Sequence, residues 1–247
     1  MHSEIEVLAP GSEHEAVQRF GDGRDVTVLA GGTIVMPAFS AGRVRPRTVL
    51  VLAHAGMDAV ERDGATLRIG AMATLARLAD APEPLGAAVR HVADAEIRAQ
   101  ATLGGNLCAP PGADAPRGDL QAPLIALAAR VRSAGAGGER TEPVEDFLAD
   151  DAPRLVLEVE FELPERGGYA ALTRRHAHGY TALAVACAGS GGTLRMAAGG
   201  LGPHAVALDA AALGAVRGAD DAISSAWYRE RMLGVLVRRA TEAAACG

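Results

Sequence analysis

A mixed α/β chain of two or three subdomains is predicted by three features of the sequence. A short β-branched apolar run, Val26 to Ala30, leads straight into Gly31-Gly32-Thr33 and then into the helix-like stretch Ile34 to Phe39. From Leu157 the run Leu155 to Leu163 alternates apolar and acidic residues, the pattern of a strand with one solvated face. A closing helix is expected from about Ser225 to Ala245. With 247 residues, 49% of them hydrophobic, the chain can bury a sizeable core and sits near the upper size of a single domain.

The elements follow in order. After the glycine turn, Val49 to Ala53 reads as a second strand and Thr66 to Gly70 as a third, which leads into a helix over Thr74 to Ala79 capped by Thr74. Pro84 opens a helix that runs through Asp94. The segment Glu96 to Leu107 has the least ordinary composition, and Cys108 to Asp114, with two prolines and a glycine, must be loop. Asp119 can cap a helix over Leu120 to Ala129, where Leu120, Leu124 and Leu127 share one face. A turn is expected at Gly135 to Gly138, Pro164 ends the alternating strand, and Gly167-Gly168 suggests a boundary. Strands over Ala182 to Ala188 and Thr193 to Ala197 and a turn at Gly199 to Pro203 precede the closing helix. No internal repeat and no long disordered tail is present.

Charge and composition exclude several functions. The 24 basic residues are all arginine, against 30 acidic ones, for a formal charge of -6, and no basic block tracks a phosphate backbone, so nucleic acid is not an expected partner. Without lysine there is neither a Schiff-base lysine nor a P-loop lysine. No apolar run has the length of a membrane span, and Met1-His2-Ser3-Glu4 lacks the order of a signal peptide, so a cytoplasmic protein with no membrane partner is expected. Cys108, Cys187 and Cys246 lie far apart with no C-x-x-C pair. They support no zinc or iron–sulfur site and read as small buried hydrophobes; no metal site is expected.

The chemistry concentrates in two glycine pairs. A glycine pair between a strand and a helix allows positive φ and close approach, so successive N–H groups can converge on an anion, aided by the helix N-terminus. Ala30-Gly31-Gly32-Thr33 offers amides and a hydroxyl. Thr102-Leu103-Gly104-Gly105-Asn106 offers a second hydroxyl, two glycines and a side-chain amide. Hydrogen bonds to a charged group contribute roughly 1.5–3 kcal/mol each, so a handful of such donors holds a diphosphate without lysine. A single glycine pair is more often a plain tight turn; two of them suggest a long, bent nucleotide.

Larger blocks of sequence then point to a family. Leu29-Ala30-Gly31-Gly32-Thr33 with Pro37 is followed by Leu67-Arg68-Ile69-Gly70-Ala71-Met72-Ala73-Thr74. Ile97-Arg98 through Thr102-Leu103-Gly104-Gly105-Asn106-Leu107 continues to Gly118-Asp119-Leu120-Gln121-Ala122-Pro123-Leu124. Leu194 to Pro203, Tyr228 to Met232 and Val235 to Ala240 close the series. In this order they resemble the FAD-binding medium subunit of the molybdenum hydroxylases, the family of carbon monoxide dehydrogenase and xanthine dehydrogenase. The resemblance covers nearly the whole chain.

It implies an α+β fold, with two α/β lobes over residues 1–55 and 56–165 holding non-covalent FAD between them, and a shortened antiparallel sheet-and-helix domain over 166–247. It also implies FAD contacts from Leu29, Ala30, Gly31, Gly32, Thr33, Ile34, Thr102, Gly104, Gly105 and Asn106, with Asp119 facing the ribityl hydroxyls. As an ionised acceptor Asp119 suits hydroxyl donors, and a helix-cap role can coexist with that one. No catalytic residue is assigned.

The chain departs from the family at Ala99, where asparagine is usual, and before Ser224, where a helical stretch is missing. It also departs at His176-Ala177-His178-Gly179-Tyr180-Thr181, where the family tends to place an aspartate. His176 and His178 alternate and read as surface residues, and Tyr180 as ordinary packing beside a strand. The expected function is electron transfer through FAD, with partner chains carrying molybdopterin and iron–sulfur clusters. The alternatives are a free-standing flavoenzyme acting on a small organic substrate, and a scaffold that has lost its flavin.

Overall fold

Three sheets, each built on a different principle, organise the chain. The computed structural model describes residues 5–109, 118–173 and 180–246. The apolar run ahead of the first glycine pair forms β2 (Val26–Leu29), the edge of a parallel sheet ordered β1-β3-β2 with β1 (Glu6–Leu8) and β3 (Thr48–Val51). The crossover from β1 is α1 (Glu13–Phe20). Ser12 Oγ accepts the Glu15 N–H at 3.2 Å, Glu15 Oε2 accepts the Gly11 N–H at 3.0 Å, and Gly21 ends the helix at φ 59°. α2 (Val35–Ser40) leaves the glycine turn and buries none of its residues.

The second sheet is antiparallel, ordered β4-β5-β8-β6-β7, from β4 (Val60–Asp63), β5 (Thr66–Gly70), β6 (Arg130–Gly135), β7 (Gly138–Pro143) and β8 (Leu155–Glu162). The alternation read in β8 is used in full at its central position. Leu157, Val159 and Phe161 are buried, while Glu158 and Glu160 face a ladder of arginines. Arg68 meets Glu160 at 3.3 Å, and Arg132 reaches Glu13 of α1 through two bonds of 2.7 and 2.9 Å, which seats that helix beside the sheet. The largest core lies on the other face. It is covered by α3 (Leu85–His91), α5 (Leu103–Leu107), α6 (Gln121–Ala126) and α7 (Val144–Ala149), with α4 (Ala95–Gln100) running into α5.

The third sheet is an antiparallel meander ordered β12-β11-β10-β9, from β9 (Arg166–Thr173), β10 (Thr181–Gly189), β11 (Arg195–Gly199) and β12 (Val206–Leu208). α8 (Ala226–Cys246) lies over β9 and β10, packing Leu233, Leu236, Ala240 and Ala244 against Leu183, Val185 and Cys187. Among the described residues no helix is long and apolar enough to cross a membrane.

Several expectations need correction. Thr74 to Ala79 is not an α-helix: Leu75–Leu78 is one 3-10 turn, and the Thr74 side chain caps nothing. The reason is tertiary, since Leu75 N–H donates to Ala101 O and Leu103 N–H to Ala73 O, which draws Thr74 into a bridge with Thr102. The helix after Asp119 begins at Gln121 and ends at Ala126, with Leu120 rather than Asp119 at its N-cap, and Ala128 turns the chain at φ 51°. The helix after Pro84 stops at His91. The chain changes sheet between β8 and β9, just before Gly167 and Gly168; the glycines themselves lie inside β9, where a Cβ on Gly168 would stand 2.1 Å from Ala240 O, so close packing of α8 also explains that glycine. Of the three cysteines only Cys187 is buried.

Candidate functional site

The first glycine turn is shaped for close approach and for an anion. Gly32 sits at φ 73°, a conformation that strains any residue with a Cβ. Gly31 takes an ordinary φ but lies against the end of α4, where a Cβ would stand 2.0 Å from Gln100 O. The chain can therefore fold back onto α4 only with hydrogen at this position. The amides of Gly31, Gly32, Thr33 and Ile34 donate to no acceptor among the described residues, while Gly32 O already accepts from Met36 N–H at 2.9 Å. Four backbone donors in succession before a helix form a nest for negative charge.

The second glycine pair is built differently. It is no loose turn but the first turn of α5, capped by Thr102, whose Oγ1 accepts the Gly105 N–H at 3.2 Å. Leu103 N–H donates to Ala73 O, Gly104 N–H to Ala71 O and Asn106 N–H to Thr102 O, so every amide from Leu103 to Asn106 has a protein acceptor. What the glycines supply here is space. A Cβ on Gly104 would stand 3.0 Å from the Ala71 Cβ, and one on Gly105 would point across the cleft to within 3.9 Å of the Ala30 Cβ. The two pairs thus face one another, one giving open donors and the other a bare wall.

Between them runs a cleft of about 470 Å³, within the range of cofactor sites. Of the residues expected from sequence, Ala30, Gly31, Gly32, Thr33, Ile34, Thr102, Gly104, Gly105, Asn106 and Asp119 all line it. Leu29 does not; its Cδ1 backs Gly32 from behind, 3.5 Å from where a Cβ would be. Asn106 is largely committed to structure, since its Oδ1 accepts the Leu120 N–H at 2.9 Å, and only its amide nitrogen can serve a ligand as donor. Tyr180 also lines the cleft, whereas His176 and His178 lie outside the described residues.

Sequence reasoning missed the apolar wall, Val28, Leu52, Met72, Val92, Ile97, Leu155 and Val156, and it missed Arg154. Met72 and Ile97 sit inside blocks that the sequence singles out, but Val28, Leu52, Val92, Leu155 and Val156 lie in ordinary apolar runs with nothing to mark them as lining. Among the described residues the charged members of the lining are Asp94, Asp119 and Arg154. Asp94 is occupied capping α4, its Oδ1 accepting the Ile97 N–H at 2.8 Å. Burial, helped by the nearby Arg140, holds the Arg154 guanidinium below the usual arginine range. Burial, and then the negative charge of Asp119, push the Tyr169 phenol well above its usual range, and its hydroxyl has no hydrogen-bond partner among the described residues.

An FAD suits this arrangement. A dianionic diphosphate would meet the open amides of Gly31 to Ile34, the bare surface of Gly104 and Gly105 admits it closely, and Asp119 offers an acceptor to hydroxyls on one side. Among the described residues no group of three histidine, cysteine or acidic side chains is placed to hold a metal.

Comparison with known proteins agrees. Residues 3–161 match the sequence profile of the family described as the FAD binding domain in molybdopterin dehydrogenase. The carbon monoxide dehydrogenase medium chain of Hydrogenophaga pseudoflava is 29% identical, over 97% of this chain and 96% of that one. The nicotine 6-hydroxylase medium subunit of Paenarthrobacter nicotinovorans is 27% identical over 69% of this chain, and the match spans 64% of that subunit's length. Among solved structures, carbon monoxide dehydrogenase from Hydrogenophaga pseudoflava superposes with a TM-score of 0.82 at 25% identity, covering 98% of each chain. Quinoline 2-oxidoreductase from Pseudomonas putida 86, with a TM-score of 0.80 at 22% identity, shares the fold.

Proposed function

Because the chain belongs to the family of FAD-binding domains in molybdopterin dehydrogenases, we propose that it is the flavin subunit of a molybdenum hydroxylase-type complex, passing electrons through FAD. Partner chains carrying molybdopterin and iron–sulfur clusters would supply those electrons, and an acceptor outside the chain would take them. FAD, when bound, supplies the redox chemistry; the chain binds it, orients it and sets its surroundings. The observation that carries this reading is the opposition of the open amides at Gly31 to Ile34 and the bare glycine face of α5 across one cleft.

The residues take separate roles in the proposal. Gly31, Gly32, Thr33 and Ile34 hold the diphosphate through backbone N–H groups, and the Thr102 hydroxyl and Asn106 amide add donors from the opposite side. Asp119 accepts from the ribityl hydroxyls. The apolar wall of Val28, Leu52, Leu155 and Val156 excludes water from the remainder of the ligand. The lobes over 1–55 and 56–165 would close on the cofactor and 166–247 would complete the unit, in a protein of the cytoplasm.

The test begins with the visible spectrum of the purified chain, release of its ligand by heat, and identification of that ligand by mass. The sample is then exposed anaerobically to candidate small-molecule reductants. Released FAD that no small molecule reduces supports an electron-transfer subunit. FAD reduced by the chain alone with an organic substrate would replace that reading with a free-standing enzyme, and failure to bind any flavin would overturn it.

A further inference from the structure

Among the described residues Arg154 is the one basic side chain in the cleft wall, and it makes no ion pair with any of them. Its guanidinium is pinned along one edge: Nε donates to Ser133 Oγ at 2.9 Å, and Nη2 donates to Ser133 O at 2.7 Å and Gly138 O at 3.0 Å. Three of its five N–H donors are thereby used, and its plane is held fixed, leaving Nη1 and the flat face. A long flexible cation has become a rigid platform at the cost of partial burial without a counter-charge. Glu142 and Asp150, the acids that act on it from β7 and the turn after α7, are both bonded to Arg140.

Its place along the cleft follows from a chain of backbone contacts. Leu157 O accepts the Ala71 N–H at 2.9 Å, Ala71 O accepts the Gly104 N–H at 2.8 Å, and two residues further on Asn106 holds Leu120, the neighbour of Asp119. Asp119, whose charge acts on Tyr169 of β9, lies towards the third sheet, and the glycines stand on α5. Arg154 lies instead towards the parallel sheet: it bonds Gly138 at the β6–β7 turn, and its neighbour Pro153 stands 2.7 Å from where a Cβ on Gly23 would be. With the diphosphate at the glycines and the ribityl chain at Asp119, the Arg154 end receives the remaining part of the dinucleotide.

Resting on the flavin reading above, we propose that Arg154 is the residue that recognises the adenosine half of FAD, its pinned guanidinium plane stacking on the purine, so that the site selects a dinucleotide over a flavin mononucleotide. A purine face suits a flat, weakly hydrated cation whose edge donors are already engaged, and Leu155 and Val156 continue the apolar floor beside it.

The test uses the full-length chain stripped of its ligand and measures the affinities of FAD, ADP and FMN for the natural protein, Arg154→Gln and Arg154→Lys. Arg154→Gln is expected to weaken FAD and ADP by the same factor, about tenfold, and to leave FMN unchanged. Arg154→Lys, which keeps the charge but not the plane, should restore little. Unchanged FAD and ADP affinity, or an equal loss for FMN, overturns the inference while leaving the flavin reading intact. A natural protein that binds none of the three overturns both. If Arg154→Gln fails to fold, arginine side-chain NMR of the natural protein decides: the Arg154 Nε resonance should move on adding ADP and stay still on adding FMN, and no movement with ADP refutes the proposal.

Discussion

Gly31 and Gln100 meet backbone to backbone, so closely that a Cβ on the glycine would lie 2.0 Å from the Gln100 carbonyl oxygen. The contact seats the turn after β2 on the end of α4, and α4 runs directly into Thr102 and α5. The two walls of the cleft are thus registered against each other before any ligand arrives, and the Gly31 contact sets their spacing. A carbonyl of the main chain cannot swing away as a side chain can. Gly31→Ala should therefore cost about 1–3 kcal/mol of stability by overpacking and abolish flavin binding. Gly137→Ala, where an added Cβ meets nothing within 4 Å, should change neither. Thermal melting of the apo chain with a flavin fluorescence titration checks both, and a Gly31→Ala protein with normal melting and normal binding would remove this contact from the account.

Gly105 separates binding from folding more cleanly. It lies in the first turn of α5, its φ is not positive, and its nearest neighbour on adding a Cβ is the capping Thr102 Oγ1 at 3.0 Å. An acidic residue in a first helical turn is favoured by the helix dipole by roughly 0.3–1 kcal/mol. Gly105→Asp should accordingly leave the apo protein at least as stable, while placing a negative charge opposite the open amides of Gly31 to Ile34. FAD affinity should then fall by at least about a hundredfold, some 2.7 kcal/mol. Gly105→Ala should lose far less. Equal FAD affinity in Gly105→Asp and the natural protein would move the diphosphate away from α5.

What the sequence disclosed depends on what each residue type is forced to do. β5 lies where the sequence placed it, at Thr66–Gly70, because a β-branched and apolar run between a turn and a glycine has few other uses. Both cleft walls were legible through their glycines, yet for only partly correct reasons: Gly32 needs its positive φ, while Gly104 and Gly105 are helical and supply room instead. That distinction depends on who accepts each amide, and Ala71 and Ala73, which accept from Gly104 and Leu103, lie some thirty residues away in sequence. α1 carries a signal of its own in Ser12-Glu13-His14-Glu15, whose serine and second glutamate cap the helix, although no element is expected there above. Arg154 carried no signal, because it looks like any other loop arginine until Ser133 and Gly138 pin it.

Arg229 offers a test of the third sheet. Its side chain is fully buried; Nη2 reaches both Asp221 carboxylate oxygens at 2.7 Å, Nε donates to Ala182 O at 3.0 Å, and Nη1 donates to Ala219 O. One side chain thus ties α8 to the start of β10 and to the segment before α8. Arg229→Met would leave the Asp221 carboxylate without its cation and should cost about 3–5 kcal/mol. Lysine should rescue poorly, since it cannot bond both oxygens and two carbonyls at once. Urea unfolding should show a lower midpoint at an unchanged slope, and the double variant Arg229→Met/Asp221→Asn should recover part of the loss. A single variant within about 1 kcal/mol of the natural protein would contradict the tie.

Glu158 gives the fold a pH dependence of definite sign. It stands on β8 with Glu160 on the same face, and Glu13, Arg68 and Arg132 act on it from α1, β5 and β6, Arg132 Nε at 3.9 Å. Burial outweighs the two arginines and raises the carboxyl above the usual glutamate range, with Glu160 and Glu13 adding to the shift. The folded chain therefore holds this proton more tightly than the unfolded one. Linkage then requires that the contribution of Glu158 to stability be greatest below the unfolded value, about 4.3, and be lost as pH rises through the folded value. Glu158→Gln removes the titration while keeping the size and one acceptor oxygen. Urea unfolding between pH 4 and 8 should show the natural protein losing ground to the variant as pH rises, with the two curves separating above the glutamate range. Parallel curves, or a gap that closes with rising pH, would mean that the arginine ladder and not burial governs this carboxyl.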